Sequence, residues 1–167
     1  MDGGGKDREG MREILFRGKR KDNGEWVEGH LIQSPYMGEV RSWISTPEDK
    51  TRLRAIATYY GDWRAVEVGT DTICQYTGLT DKNGNKIWEN DIIQYIDGDL
   101  IANGIVKFGR HEQIVMLELG FYIEWLGKET ECFKTDIYYW IEKRDIEVTG
   151  NLFNNACIDE LLKGEEG

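Results

Sequence analysis

His30 and His111 are the two histidines of the chain, and any metal-dependent chemistry has to start from them. His111-Glu112-Gln113-Ile114-Val115 opens like the zinc-binding pattern H-E-x-x-H but places Val115 where the second imidazole belongs. A zinc site built there lacks one of its required nitrogens. Asp97-Gly98-Asp99 opens like a calcium loop, yet Leu100, Ile101 and Ala102 stand where oxygen ligands must follow, so a turn between strands explains it better. Ser34, Ser42 and Ser45 have no nucleophile elbow around them and no His or Asp at a diagnostic spacing. Cys74 lies in an apolar run and Cys132 beside Phe133, surroundings that raise a thiol pKa and predict core thiols. Gly3-Gly4-Gly5 lacks the preceding strand and following Lys of a phosphate cradle. Glu89 and Asp91 share one face of an extended segment, and Asp62 lies beside Trp63, but among 31 acidic residues such pairs arise by chance. A carboxylate enzyme therefore ranks last among the readings, and the sequence predicts no catalytic residue, no metal and no cofactor.

Binding residues are easier to nominate. Six tryptophans (Trp26, Trp43, Trp63, Trp88, Trp125 and Trp140) and eight tyrosines are many for 167 residues, and most must fill a core. Tyr138-Tyr139-Trp140, expected on a strand, would send adjacent rings to opposite faces, so at least one should face outward. Trp88, Tyr138, Tyr139 and Trp140 are accordingly the expected partner-binding residues, able to anchor a protein or stack a base. Charge favours the protein. Residues 1–21 hold seven basic and four acidic side chains, so the remaining residues carry −13 of a net charge of −10. Such a body repels a phosphate backbone. Arg17, Lys19, Arg20 and Lys21 form the patch of opposite sign and are the alternative, nucleic-acid-binding candidates. They flank Asp22-Asn23-Gly24, where a solvated hairpin tip is the simpler reading. A third alternative makes the acidic body a mimic of nucleic acid that occupies a host protein's basic cleft.

The elements that must carry these residues are mainly strands. Ile14 and Phe16, then Trp26, Val27, Leu31 and Ile32, flank the Asp22-Asn23-Gly24 turn as a first hairpin, and residues 40–45 form another short strand. Thr46, Pro47, Glu48 and Asp49 suit the start of a short helix near 47–59, with Leu53, Ile56, Ala57 and Tyr60 at helical spacing, while Leu53, Ala55, Ala57 and Tyr59 alternate as a strand would. From Ala65 onward strand-like runs end near Val68, Thr77, Ile96, Phe108, Leu119, Trp125, Ile141 and Thr149, with Gly69-Thr70, Asn83-Gly84, Asp97-Gly98-Asp99, Gly120 and Gly127-Lys128 as turns. Short strands at such spacing predict a barrel or sandwich. Asn154 or Asn155 caps a short C-terminal helix with Ile158, Leu161 and Leu162. No apolar run is long enough to span a membrane, and the N-terminus does not read as a signal peptide. Three scattered cysteines fit a reducing compartment, so a cytoplasmic protein is expected.

Several of these segments carry a family resemblance. Gln75-Tyr76-Thr77-Gly78-Leu79-Thr80-Asp81-Lys82-Asn83-Gly84-Asn85-Lys86-Ile87-Trp88-Glu89-Asn90-Asp91-Ile92-Ile93 resembles the signature of the YopX protein family. Arg12 to Lys19 with Gly24-Glu25-Trp26-Val27-Glu28-Gly29, Val66 to Gln75, and Val148 to Asn155 resemble its opening, approach and close. Asn90 departs from the family's usual Gly, and Asn is the next residue after Gly to accept a left-handed backbone. The resemblance implies a phage or prophage protein without an established activity. It also fits a small SH3-like β-barrel at residues 71–163 with a terminal helix, an N-terminal β-rich subdomain at 11–70, and a disordered leader or tag at 1–10. The expected function is that of a non-catalytic accessory module binding an unidentified phage or host protein. An open sheet edge leaves room for a homo-oligomer.

Overall fold

The computed structural model describes residues 13–46, 65–113, 116–131, 133–143 and 146–154. The helix expected near 47–59, the C-terminal helix and the leader at 1–10 lie outside the described residues. So do Asp62, Trp63, Cys132 and Cys157 among the side chains singled out above. The described chain is mainly β, as expected, and arranged in two antiparallel sheets.

The first sheet contains β1 (Phe16–Lys19), β2 (Trp26–Tyr36), β3 (Glu39–Ser45), β4 (Ala65–Val68), β5 (Cys74–Thr80) and β6 (Lys86–Trp88), in the order β4-β3-β2-β1-β5-β6. The second contains β7 (Asp91–Asp97), β8 (Leu100–Gln113), β9 (Met116–Trp125) and β10 (Ile146–Asn151), in the order β10-β7-β8-β9. Neither sheet closes into a barrel among the described residues. The first does curl. Arg20 makes a lone bridge to Val68, and Lys21 N–H and Gly69 N–H bond the carbonyls of Glu67 and Lys19. The curl is tight because Gly29 has no side chain, since a Cβ there would sit 1.9 Å from the Ser45 carbonyl oxygen.

The expected hairpin at Asp22-Asn23-Gly24 joins β1 to β2, with Lys19 opposite Trp26. Two expectations are corrected. Tyr138-Tyr139-Trp140 lies on a helix, α1 (Ile137–Lys143), not on a strand. The Asp136 carboxylate accepts the Tyr138 N–H at 2.9 Å and caps the first turn. Ile137, Trp140 and half-buried Ile141 then recur at helical spacing on the buried face. Gly120, expected in a turn, sits inside β9 opposite Gly109. The glycine pair leaves bare backbone on the outer face, over which His111 and Tyr122 close as a stack with centroids 4.9 Å apart.

The main core lies between the second sheet, α1 and the β6 region. It includes Ile87, Ile93, Tyr95, Val106, Ile123, Ile137, Trp140 and Ile146, with Trp125 and Phe133 against them. A second cluster gathers Leu15, Cys74 and Trp88, with Trp26, Tyr76 and Phe153 at its rim. The 81–85 loop joins the two sheets. Asp81, 6% exposed, accepts the Asn83 and Asn85 N–H groups on one oxygen and the Asn85 side-chain amide and the Val148 N–H of β10 on the other. Gly84 alone takes positive φ here (+82°), so the turn uses five residues rather than an Asn-Gly pair.

Burial pushes the Asp81 carboxyl up, but the bonds from Val148, Asn85 and Asn83 outweigh it and hold the group below its ordinary value of 3.8. An acid held lower in the folded state stabilises the fold above that value and ceases to as pH falls through the folded pKa. Asp81→Asn should therefore cost about 1–3 kcal/mol at neutral pH. Urea unfolding of both proteins checks this, and the difference should narrow as the pH falls below 3.8 and through the lowered pKa of the folded state.

Candidate functional site

The Asp91 side chain is 1% exposed, and its immediate surroundings are polar. One oxygen accepts the Trp88 N–H at 2.8 Å, and the other accepts the Asn151 side-chain amide at 3.1 Å and a close contact from the Arg17 guanidinium. Asn151 in turn accepts the Phe153 N–H. Arg17 lies over Trp26 at 4.8 Å and over Trp88 at 5.2 Å from the ring centroids. Three strands and the β6–β7 corner thus meet at one carboxylate. Asn90 turns that corner at φ +64°, the left-handed backbone that its replacement of Gly allows. Its N–H bonds the Val106 carbonyl at 2.7 Å, and its own carbonyl accepts the Leu152 N–H.

Burial pushes the Asp91 carboxyl up, while Arg17, the Trp88 amide and Asn151 pull it down. Burial also raises the Cys74 thiol against the pull of Arg17, the unreactive environment that its apolar strand predicts. Glu89 is raised by burial as well, and it donates its backbone N–H to the Gln75 carbonyl. Among the described residues no group of His, Cys, Asp and Glu is placed to hold a metal. Asp91 and Arg17 therefore work as a joint. The residues that dominate the sequence motif are consumed in packing.

The structure places the expected aromatic contacts unevenly. Trp88 and Trp140 are 2% and 4% exposed and belong to the interior, so neither ring is available as a surface anchor. Trp88 packs on Tyr76 at 5.2 Å, and Trp140 on Trp125 at 4.8 Å, with its indole N–H donated to the Lys134 carbonyl. Tyr139 is half-buried against Trp140 with Lys134 over its ring. Tyr138, 53% exposed, alone faces solvent. The four are not brought together into one site.

The basic candidates are likewise engaged within the fold. Arg17 is held by Asp91. Lys19 donates to the Phe153 carbonyl at 2.7 Å and lies over Trp26. Arg20 pairs through two bonds with Asp22, and Lys21 with Glu67 at 3.0 Å. The shallow depression beside Arg20 and Lys21 is lined by Asp22 and Glu67 as well, so its charge is balanced.

A feature that sequence reasoning missed is the tip of the β2–β3 hairpin. Tyr36 pairs with Glu39 across a two-residue turn, Met37-Gly38, with φ of +49° and +88°. Positive φ at both turn positions is the geometry that favours Asn-Gly, and Met there is disfavoured by about 1–2 kcal/mol. Met37 is 89% exposed, between Tyr36 at 54% and Val40 at 53%. Arg41 stands under the tip, 5.6 Å from the Tyr36 centroid and bonded through two nitrogens to Glu67. The one sequence signal was Gly38 between two β-prone runs.

The family model described as YopX protein matches residues 15–163. The chain belongs to the YopX family. No curated protein matches the chain. The matched span runs from Leu15 beneath the joint to beyond β10, so the family pattern covers both sheets and the residues that lock them.

The family motif is thus a packing motif, with a measurable consequence. Asp91→Ala should destabilise by about 3–5 kcal/mol, because it leaves the Arg17 charge buried without its partner. The double replacement Arg17→Met with Asp91→Leu should cost less than Asp91→Ala alone, as followed by chemical denaturation.

Proposed function

We propose that this protein is a non-catalytic accessory module that binds a protein partner, presenting the β2–β3 hairpin tip as its contact. One observation carries the reading. Met37 occupies a backbone conformation that its own side chain disfavours, at the outermost point of the hairpin, with Tyr36 and Val40 exposed beside it. An outlier retained at that cost, where Asn would relieve it, points to a role for the side chain outside the fold. An apolar tip braced by the Arg41–Glu67 pair suits insertion into an apolar notch on another protein.

The SH3-like barrel is part of this proposal. Supporting it, the 81–85 loop contacts β10 through Asp81 and Val148, and Lys82 pairs with Glu147 at 3.0 Å, bringing the two sheets edge to edge. The family resemblance supports a phage or prophage origin, and with it action in the host cytoplasm. Nucleic-acid binding is the less supported alternative, because Arg17, Lys19, Arg20 and Lys21 each already have a partner inside the chain.

Met37→Asn separates contact from stability. The variant should be more stable than the parent by about 1 kcal/mol, since Asn tolerates the left-handed backbone. It should also retain less of the partner from nuclease-treated host lysate, and Met37→Asn with Val40→Asp should retain none. A partner held equally by all three proteins would exclude the hairpin as the contact. A catch lost on nuclease treatment would favour nucleic acid.

A further inference from the structure

The β2–β3 hairpin overhangs its own sheet. β1 covers β2 only from Trp26 to Gly29, and β4 covers β3 only from Ser42 to Ser45. Residues 33–40 are exposed throughout, with Met37 outermost at 89%. A Cβ added at Gly38 would meet nothing within 4 Å, so the space around the turn is open. Both edges of the overhang are closed to strand addition near the tip. Tyr36 and Glu39 are the closing pair, so Pro35 and Val40 turn their backbones outward. Pro35 has no N–H to offer, and the Val40 carbonyl accepts the Thr70 hydroxyl at 3.1 Å. A partner must therefore engage side chains, and the Met37 thioether reaches furthest.

An apolar contact does not by itself require sulfur. Leu has similar bulk and, like Met, is unbranched at Cβ, as a positive φ demands. What sulfur adds is a second oxidation state. Of the sulfur side chains among the described residues, Cys74 is 0% exposed with its thiol raised by burial, so it is shielded from oxidants. Met37 stands in water, and a thioether needs only access, since it has no proton to lose before it reacts. Its side chain belongs to neither core cluster, so the fold does not depend on its oxidation state.

We propose that Met37 is a reversible oxidation site that switches the hairpin contact off: a hydroperoxide converts the thioether to the sulfoxide, and the partner is released. The inference rests on the hairpin-contact reading. A sulfur lone pair takes the terminal oxygen of the peroxide, the O–O bond breaks, and the departing hydroxide or alkoxide takes up a proton. Sulfur gives up two electrons and the peroxide gains them. The product is polar and chiral, unsuited to an apolar notch. Methionine sulfoxide reductases restore the thioether, releasing the oxygen as water while a dithiol is oxidised to a disulfide.

The test treats the full-length protein with hydrogen peroxide at neutral pH and follows it by peptide mapping. Met37 should gain one oxygen at close to the rate of N-acetylmethionine amide, with the thermal midpoint unchanged. The oxidised protein should elute earlier from a phenyl column, as should Met37→Asn, and should retain several-fold less protein from nuclease-treated host lysate. The two reductases, one for each sulfoxide epimer, should restore both elution and retention. Peroxide should leave retention by Met37→Leu where it was before treatment. Oxidation of Met37 much more slowly than the reference amide, or undiminished retention by the oxidised parent, would overturn the proposal. So would an equal loss in Met37→Leu, which would place the effect on another sulfur. The two readings fail separately. Full retention by Met37→Asn removes the hairpin contact itself, whereas loss in Met37→Asn beside an oxidised parent that still binds removes only the switch.

Discussion

A buried carboxylate cannot be left half satisfied, and the two sheets are arranged around that constraint. Asp91 is removed from water with room for a few donors only, and they come from three places far apart in sequence: the β1 guanidinium, the β6–β7 corner amide and the β10 asparagine. Any slip of one sheet against the other would strand a charge in the interior, at a cost of several kcal/mol. Apolar packing alone would tolerate such a slip far better. The indoles of Trp26 and Trp88 keep water from Arg17 while offering their π faces to it. Asp81 repeats the device at the other end of β10, with backbone N–H groups in place of the guanidinium.

The same constraint shapes the most family-specific stretch of the chain. Asp81 and Asp91 are engaged by backbone N–H groups and neighbouring side chains, Asn90 takes the left-handed corner, and Trp88 fills the interior. The same accounting applies to the basic cluster near the N-terminus. Four cations that look like a phosphate site in sequence are divided among a buried carboxylate, a carbonyl and two surface acids. What the fold leaves unspent is at the hairpin tip, where the Met37 side chain works against its own backbone.

Much of the architecture was legible because it rests on local rules. The Asp22-Asn23-Gly24 turn and the strand at 40–45 follow from turn residues and alternation, and the left-handed Asn90 follows from a single substitution. Errors arose where two periods compete. Tyr138-Tyr139-Trp140 satisfies a strand pattern, but Ile137, Trp140 and Ile141 satisfy a helical one, and the Asp136 cap decides between them. Gly120 misled because glycine marks both turns and bare cross-strand pairs, and only its partner Gly109 distinguishes the two. Arg17 and Asp91 lie 74 positions apart, beyond any pattern that a single sequence displays. The hairpin tip escaped notice for a different reason, since nothing in its composition announces a methionine at positive φ.

The central claim is that one carboxylate couples both sheets, and amide hydrogen exchange on Asp91→Asn tests it most directly. That substitution keeps the shape and removes the charge that Arg17 neutralises. The account predicts that slow amides in β1, β5 and β7–β10 lose protection together and by a similar factor. Loss confined to one sheet, or full protection in both, would contradict it.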